Sequence, residues 1–323
     1  MISVVVPVHN EQESLATLLT ELDAVAVDRG IAEIEFIFVD DGSTDGSWNV
    51  IQDLVERDSR VRAIRFRRNF GKAAALTAGF QTARGEIIFT LDGDLQDDPM
   101  EIPRFLDRLE EGFDLVSGWK RTRHDPWHKV FPSRVFNAMV SSLTGCRLHD
   151  HNCGFKAYRR EVIQEVRIYG ELHRFVPALA YARGFRVSEI EVHHRPRRFG
   201  SSKYGVTRFL KGLLDLISVR FLTGYSQRPG HILGGAGLGL TTLGVFGLLG
   251  FALRCLGGEL AMGAIAFLIL SCLMLVLGIQ LFSVGLLAEL VTSYLLRPRE
   301  TFSVAERLES SGLFPVENLE TTE

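Results

Sequence analysis

Five consecutive residues, Asp92-Gly93-Asp94-Leu95-Gln96, set two carboxylates and an amide at alternate positions, and Asp97 and Asp98 follow before Pro99. Carboxylates crowded in this way repel one another unless something cationic lies between them. A divalent ion held by Asp92 and Asp94, carrying a diphosphate on its other face, satisfies the arrangement. Mg²⁺ and Mn²⁺ take hard oxygen ligands of this kind, usually one or two carboxylates plus substrate phosphates. The same residue types also make a solvated turn, since Asp, Gly and Pro are turn formers. The cluster therefore has to be judged by its companions.

The residues just before it, Glu86 to Leu91, are β-branched and aromatic over a strand-like length and read as a buried strand. Three earlier apolar runs read likewise: Ile2 to Pro7, Ile34 to Val39 and Val61 to Phe66. Between them, helical periodicity covers Leu15 to Val27, Trp48 to Arg57 and the alanine-rich Ala73 to Thr82. Strands alternating with helices predict an α/β domain with a mostly parallel sheet covered on both faces. In such sheets ligands bind beyond the carboxyl ends of the strands. Asn10-Glu11, Asp40-Asp41, Asn69 to Lys72 and Asp92 to Gln96 each follow a strand, so all four should meet at one edge. Neither G-x-G-x-x-G nor G-x-x-x-x-G-K-[ST] follows the first strand, which disfavours a dinucleotide fold and a P-loop.

The last hundred residues have a different character. Ile232 to Leu253 and Met262 to Ala288 carry no charge, and each exceeds the roughly 20 apolar residues that cross a bilayer as a helix. The connection, Arg254 to Ala261, is short, so a transmembrane hairpin is expected. Arg220, Arg228, Arg297 and Arg299 lie outside its open ends against Arg254 alone in the connection, which predicts cytoplasmic termini. Gly234, Gly235, Gly237 and Gly239 suit close helix contacts and suggest a homo-oligomer. Before the hairpin, Val206 to Phe221 has helical apolar spacing interspersed with Arg208, Lys211 and Arg220. It is expected either to lie in the membrane interface or to pack on the soluble domain. The net charge of -3 offers no global field for nucleic acid. The four cysteines form no C-x-x-C pair and read as free thiols of a reducing compartment or the membrane. Met1 leads directly into a strand, so no signal peptide is expected.

Taken in order, several segments resemble the polyprenyl-phosphate glycosyltransferases of glycosyltransferase family 2. They are Val6 to Glu11, Val39 to Asp45, Arg68 to Lys72, Leu91 to Pro99, Asn152 to Lys156, Gly170 to Phe175 and Phe199 to Tyr204. The chain is similar to dolichyl-phosphate mannose synthases and, in its paired spans, to bacterial undecaprenyl-phosphate glucosyltransferases. The resemblance implies a GT-A catalytic domain over 1–204, juxtamembrane helices over 205–228, two spans within 229–296 and a cytoplasmic tail from 297. It implies transfer of one hexose from a nucleotide diphosphate sugar, UDP-glucose by analogy, to undecaprenyl phosphate at the cytoplasmic face of a bacterial inner membrane. By motif, Pro7, Val8, Asn10, Glu11, Asp40, Asp41, Ser43, Lys72, Asp92 and Gly93 would bind the nucleotide sugar. Asp92, Asp94 and Gln96 would hold Mg²⁺ or Mn²⁺, with Asp92 and Asp94 catalytic through it. Arg121, Lys129 and Ser133 fall where this family binds acceptor phosphate, with Lys120 beside Arg121 as a substitute. Arg197 and Lys203 fall in a basic loop expected to close over the phosphates.

The chemistry expected of such a site has one simplification. Most inverting transferases need a carboxylate to deprotonate an acceptor hydroxyl. A polyprenyl phosphate is already anionic at neutral pH, so that base is dispensable and cations matter instead. The loop His193 to Gly200 supplies them, and arginine grips phosphate bidentately. Its ordinary alternative is a solvated charge run or a patch for anionic lipid. His173 and Arg174 would line the acceptor channel or contact the leaving group; a hydrogen-bonded histidine beside the core is the other reading. A glycan-extending relative would carry more spans and a Q-x-x-R-W segment, which this chain lacks. A catalytically silent membrane adaptor would have no reason to keep Asp92, Asp94 and Gln96.

Overall fold

The structure is a computed structural model describing residues 1–121, 127–166, 168, 170, 172–196, 212, 215–216, 219, 229–257 and 262–295. Within these, side chains of 127–132, 229, 262–263 and 292–295 are outside the description. The strands are β1 (Ile2–Val8), β2 (Ile34–Asp40), β3 (Val61–Arg65), β4 (Ile87–Thr90), β5 (Leu115–Trp119), β6 (Lys156–Arg159) and β7 (Val187–Glu191). The helices are α1 (Leu15–Asp28), α2 (Ser47–Arg57), α3 (Lys72–Thr82), α4 (Ile102–Glu110), α5 (Trp127–Thr144), α6 (Arg160–Glu165) and α7 (Val176–Ala182). Two long helices follow, α8 (Pro229–Leu256) and α9 (Met262–Leu295).

The seven strands form one sheet in the order β3-β2-β1-β4-β6-β5-β7. β6 alone runs against its neighbours; it is antiparallel to both β4 and β5, while every other pairing is parallel. The ends of β1, β2, β3, β4, β5 and β7 therefore share one edge with the start of β6. Strand alternation divides the apolar residues between two layers. Val4, Val6, Phe36, Phe38 and Phe89 pack with Leu15, Leu18 and Leu22 of α1 and Phe105 of α4. Val5, Ile37, Val39, Ile88 and Tyr158 pack with Leu76 and Phe80 of α3 and Val176 of α7. Helices on both faces explain why β1 and β2 read as nearly continuous apolar runs. α3 lies especially close to β1, because a Cβ on Gly79 would meet Val5 Cγ1 at 2.3 Å.

From Ile2 to Thr90 the expected strands and helices hold to within a residue or two at each end, the usual uncertainty of helix and strand limits. The two long apolar helices run further than expected, over Pro229–Leu256 and Met262–Leu295. Helix α2 has Gly46 at its N-cap and no side-chain cap; Asp45 accepts from Ser47 N at 3.0 Å and Gln12 N at 3.3 Å. That ties the loop after β2 to the loop after β1.

α8 and α9 are long and apolar enough to cross a membrane. Phe246 and Leu253 are 67% and 69% exposed, the pattern of a lipid-facing surface and not of a core helix. Of the four glycines expected to suit close helix contacts, Gly237 lies against α9 within the hairpin. A Cβ on Gly237 would lie 2.5 Å from Phe282 N, and one on Gly244 would lie 2.7 Å from Leu275 N. Gly235 and Gly239 have open space around them. Of the preceding juxtamembrane stretch, Leu216 and Val219 are buried in a third cluster with Phe136 and Phe175 of the soluble domain. The tail beyond 295 lies outside the described residues.

Candidate active site

At the end of β4 the chain makes a tight turn in which every carboxylate has a different environment. Asp92 is paired with Lys72 at the start of α3, and its side chain is 35% exposed. Burial would raise its pKa, but Lys72, Lys120 and His173 outweigh that and hold the carboxyl down at about 2. The loop before β6 packs on its other side. A Cβ on Gly154 would lie 2.7 Å from Asp92 Oδ2, so only glycine lets this loop approach. Asp94 is 7% exposed and its Oδ1 accepts from Gln96 N at 3.2 Å. Between them Leu95 sits in the left-handed region at φ 60°, which costs a leucine about 1–2 kcal/mol. Its side chain is buried in the main core, so packing holds the strained backbone. Asp97 is fully buried, 2.7 Å from Lys120 Nζ at the end of β5.

The loops after β1, β2 and β3 are laced together beside this turn. Asn10, also left-handed at φ 58°, accepts from Thr44 N at 2.8 Å, and its own N–H donates to Ser43 Oγ at 3.0 Å. Glu11 N donates to Ser47 Oγ at 2.9 Å. Asp40 is wholly buried; its Oδ1 accepts from Ser43 N at 2.9 Å and its Oδ2 lies 3.4 Å from Arg65 Nε. Asp41 accepts from Phe70 N at 2.7 Å and Gly71 N at 2.9 Å, which fixes the loop that carries Lys72. Gly42, at φ 64°, lets the two loops touch, since a Cβ there would fall 2.4 Å from the Arg68 carbonyl carbon. The result is a cleft of about 760 Å³ lined by His9, Ser43, Thr44, Arg67, Arg68 and Asn69 among others. That volume suits a small ligand.

The candidate residues thus divide by what they do. Asp92, Asp94, Gln96 and Lys72 come together at the turn, and Ser43 lines the cleft. Asp40 and Asp41 are engaged in holding loops, so their part in nucleoside binding would be to shape the cleft. Val8 contributes its carbonyl, which accepts from Asp41 N at 2.8 Å, and Pro7 pairs with Val39 in the sheet. Gly93 O accepts from Ser14 Oγ at 2.5 Å, tying the turn to α1.

On the far side, Arg121 is exposed and turned to Glu191 at 3.3 Å, whereas Lys120 is the cation next to Asp92 and Asp97. Its ammonium is held well above the ordinary lysine range, burial being overcome by Asp97 and Asp92. Ser133 is half-buried on α5. The Lys129 side chain, Arg197 and Lys203 lie outside the described residues. Sequence reasoning missed Lys156, which is buried and donates to Cys153 O. Burial and nearby Lys72 lower its pKa to about 8 against the pull of Asp150 and Asp92. The available signal was a lysine directly after Phe155 at the start of β6. Cys153 beside it is inert, its thiol pushed up to about 12 by burial.

The donor set suits a hard divalent ion only when substrate completes it. Among the described residues no three His, Cys, Asp or Glu side chains cluster as a metal site. Asp94 and Gln96 are two hard-oxygen side chains of one turn, linked through the Gln96 N–H to Asp94 Oδ1, while Asp92 is already paired with Lys72. One carboxylate, one amide and the oxygens of a bound diphosphate match what Mg²⁺ requires.

A family model described as glycosyl transferase family 2 matches residues 3–167. Dodecaprenyl-phosphate galacturonate synthase of Rhizobium johnstonii is 39% identical over 297 residues, covering 90% of this chain and 87% of that protein. The chain belongs to glycosyl transferase family 2. Undecaprenyl-phosphate 4-deoxy-4-formamido-L-arabinose transferase of Pseudomonas aeruginosa is 38% identical over 291 residues, covering 90% of this chain and 84% of that one. Among solved structures, glucosyl-3-phosphoglycerate synthase from Mycobacterium tuberculosis, in complex with Mn²⁺ and UDP-glucose, superposes with a TM-score of 0.52. It is 21% identical and the match covers 69% of this chain and 78% of that one, so it speaks for the fold. The family 2 chain is a glycosyltransferase, its catalytic sheet is of the GT-A kind, and two apolar helices close it.

Proposed function

We propose that this family 2 enzyme moves one sugar from a nucleotide diphosphate sugar to a polyprenyl phosphate at the cytoplasmic face of a membrane. The observation that carries the proposal is the turn Asp92 to Gln96, flanked by Lys72 and Lys120, in a chain that ends in an apolar hairpin. An acceptor phosphate oxygen bonds to the anomeric carbon as the bond to the diphosphate breaks, and the nucleoside diphosphate leaves with the electron pair. Asp94 and Gln96 would hold Mg²⁺ or Mn²⁺ against that diphosphate. Bound there, the ion supplies positive charge where negative charge grows. The cleft between the loops after β1, β2 and β3 would take the nucleoside. Asp92, kept anionic by its lysines, would orient sugar hydroxyls, and Lys72 would face the donor.

The acceptor arrives as an anion, so no side chain has to remove its proton. What the protein must do is bring two phosphates together against their repulsion. Lys120 is placed for that on one side; Arg197 and Lys203, from the basic segment, would add to it. The arginines at the hairpin's open ends support a cytoplasmic catalytic domain. For the donor we propose a UDP-sugar, by analogy with the UDP-glucose bound in the M. tuberculosis relative of the fold. The named relatives act on galacturonate and a formamido-arabinose. Sugars modified at ring positions 4 and 5 therefore join glucose in the test panel. Purified protein is incubated with undecaprenyl phosphate, Mn²⁺ and labelled UDP-sugars, and the lipid fraction is extracted. Label in the lipid from one or two donors supports the reading; label only in water-soluble products contradicts it.

A further inference from the structure

The turn read as metal-binding is held from outside by the start of the basic segment that follows β7. After β7 the chain runs back across the end of β4, and Asp97 and His194 form an antiparallel bridge. Arg195 N donates to Gln96 O at 2.9 Å, next to the left-handed Leu95. The Arg195 side chain then reaches two other elements. One guanidinium nitrogen lies 2.7 Å from Asp98 Oδ1, just past the turn, and the other lies 2.6 Å from Glu21 Oε2 on α1. Asp98 Oδ1 also accepts from Met100 N at 3.1 Å, which fixes the short helical turn after it. Arg195 is 22% exposed and its two partners 28% and 16%, so these are half-buried contacts.

From this geometry we propose that Arg195 is a positioning residue for the metal ligands. It holds the Asp94–Gln96 turn in its left-handed form by fastening it to α1 and to the segment after β7. The inference rests on the reading of Asp94 and Gln96 as metal ligands. Leu95 is anchored by its side chain on the core side, and the segment after β7 fastens the backbone on the outer side at Gln96 O and Asp97. With the guanidinium gone, Asp98 and Glu21 face each other as like charges beside Asp92, Asp94 and Asp97. The turn can then relax, and the Asp94 carboxylate and Gln96 amide no longer face one ion.

Arg60 provides a matched control. It also joins α1 to a distant loop through two carboxylates, Asp23 at 2.6 Å and Asp58 at 2.7 Å, but does not touch the turn. The test measures Mn²⁺ binding calorimetrically in the presence of UDP, with melting temperature alongside, for the full-length protein in detergent. Arg195→Met is expected to weaken Mn²⁺ about tenfold, equivalent to about 1.4 kcal/mol. Arg195→Lys should recover part of the loss. Glu21→Gln, which loosens the clamp but keeps the guanidinium, should shift Mn²⁺ in the same direction by less. Arg60→Met should lower the melting temperature comparably and leave Mn²⁺ binding within about twofold. Unchanged Mn²⁺ binding in folded Arg195→Met and Glu21→Gln overturns the clamp alone. A wild-type protein that binds neither Mn²⁺ nor Mg²⁺ with UDP overturns the ligand reading, and the clamp with it.

Discussion

Replacing Asp41 with alanine removes the acceptor of two backbone hydrogen bonds, from Phe70 N at 2.7 Å and Gly71 N at 2.9 Å. Bonds to an ionised carboxylate are each worth about 1.5–3 kcal/mol. The neighbouring loop is half-exposed, so water can take over part of the loss, and about 2–4 kcal/mol remains as the expected destabilisation. For a domain of this size that corresponds to a fall in melting temperature of roughly 4–16 °C. Asp41→Asn keeps one oxygen but no charge and should lose about half as much. The assay is thermal unfolding of the detergent-solubilised protein without donor, followed by tryptophan fluorescence, with donor KM measured on the same samples. The loop carries Lys72, so KM for the nucleotide sugar should rise in parallel with the loss of stability. If the melting temperature without donor is unchanged and only KM rises, Asp41 touches the nucleoside directly and the positioning argument fails.

Three further outcomes follow from the same geometry. Lys156 has a native pKa of about 8 against 10.5 for the free side chain, because burial and Lys72 disfavour its charge. The native state thus binds fewer protons than the unfolded chain between those values, and stability rises with pH across that window by up to about 3 kcal/mol. Lys156→Met should flatten the rise, as read by melting temperature at pH 7.5 and 9.5; an unchanged slope rejects the assignment. Lys120→Ala should abolish transfer and destabilise the protein by about 3–5 kcal/mol, since it strands buried Asp97, whereas Arg121→Ala should do neither. The pair Lys120→Met with Asp97→Leu should restore the melting temperature without restoring transfer; recovery of both would mean that Lys120 is only structural. Asp94→Asn should fold normally and lose metal-dependent transfer by at least about a hundredfold, checked by initial rates over a Mn²⁺ series.

The alternation of strands and helices, and with it the common edge, was legible because the central strands β1, β2 and β4 are mostly apolar on both faces. The turn at Asp92 was legible for the same reason: a buried run that ends in carboxylates has few benign explanations. Which cation faces the site was not. Lys120 and Arg121 are adjacent cations just past the end of β5, and position alone does not separate them. In the fold Lys120 pairs with buried Asp97, and exposed Arg121 pairs with Glu191. The contacts of Asp40 and Asp41 were hidden differently. As sequence they are two carboxylates at a strand end, expected to bind the nucleotide sugar; the backbone N–H groups they also accept from lie up to thirty residues away. For the glycines of the first span, the antiparallel return of α9 sets Gly237 against Phe282 within one hairpin, while Gly235 and Gly239 have open space around them.

In the proposed reaction the acceptor brings its own negative charge and the site supplies cations in place of a base. Transfer should therefore be compared with undecaprenyl phosphate and with undecaprenol, its uncharged alcohol, using the donor that labels lipid. The phosphate should accept sugar while the alcohol remains unlabelled at any concentration that the detergent supports. Comparable transfer to the alcohol would require a base to remove its proton and would contradict the account.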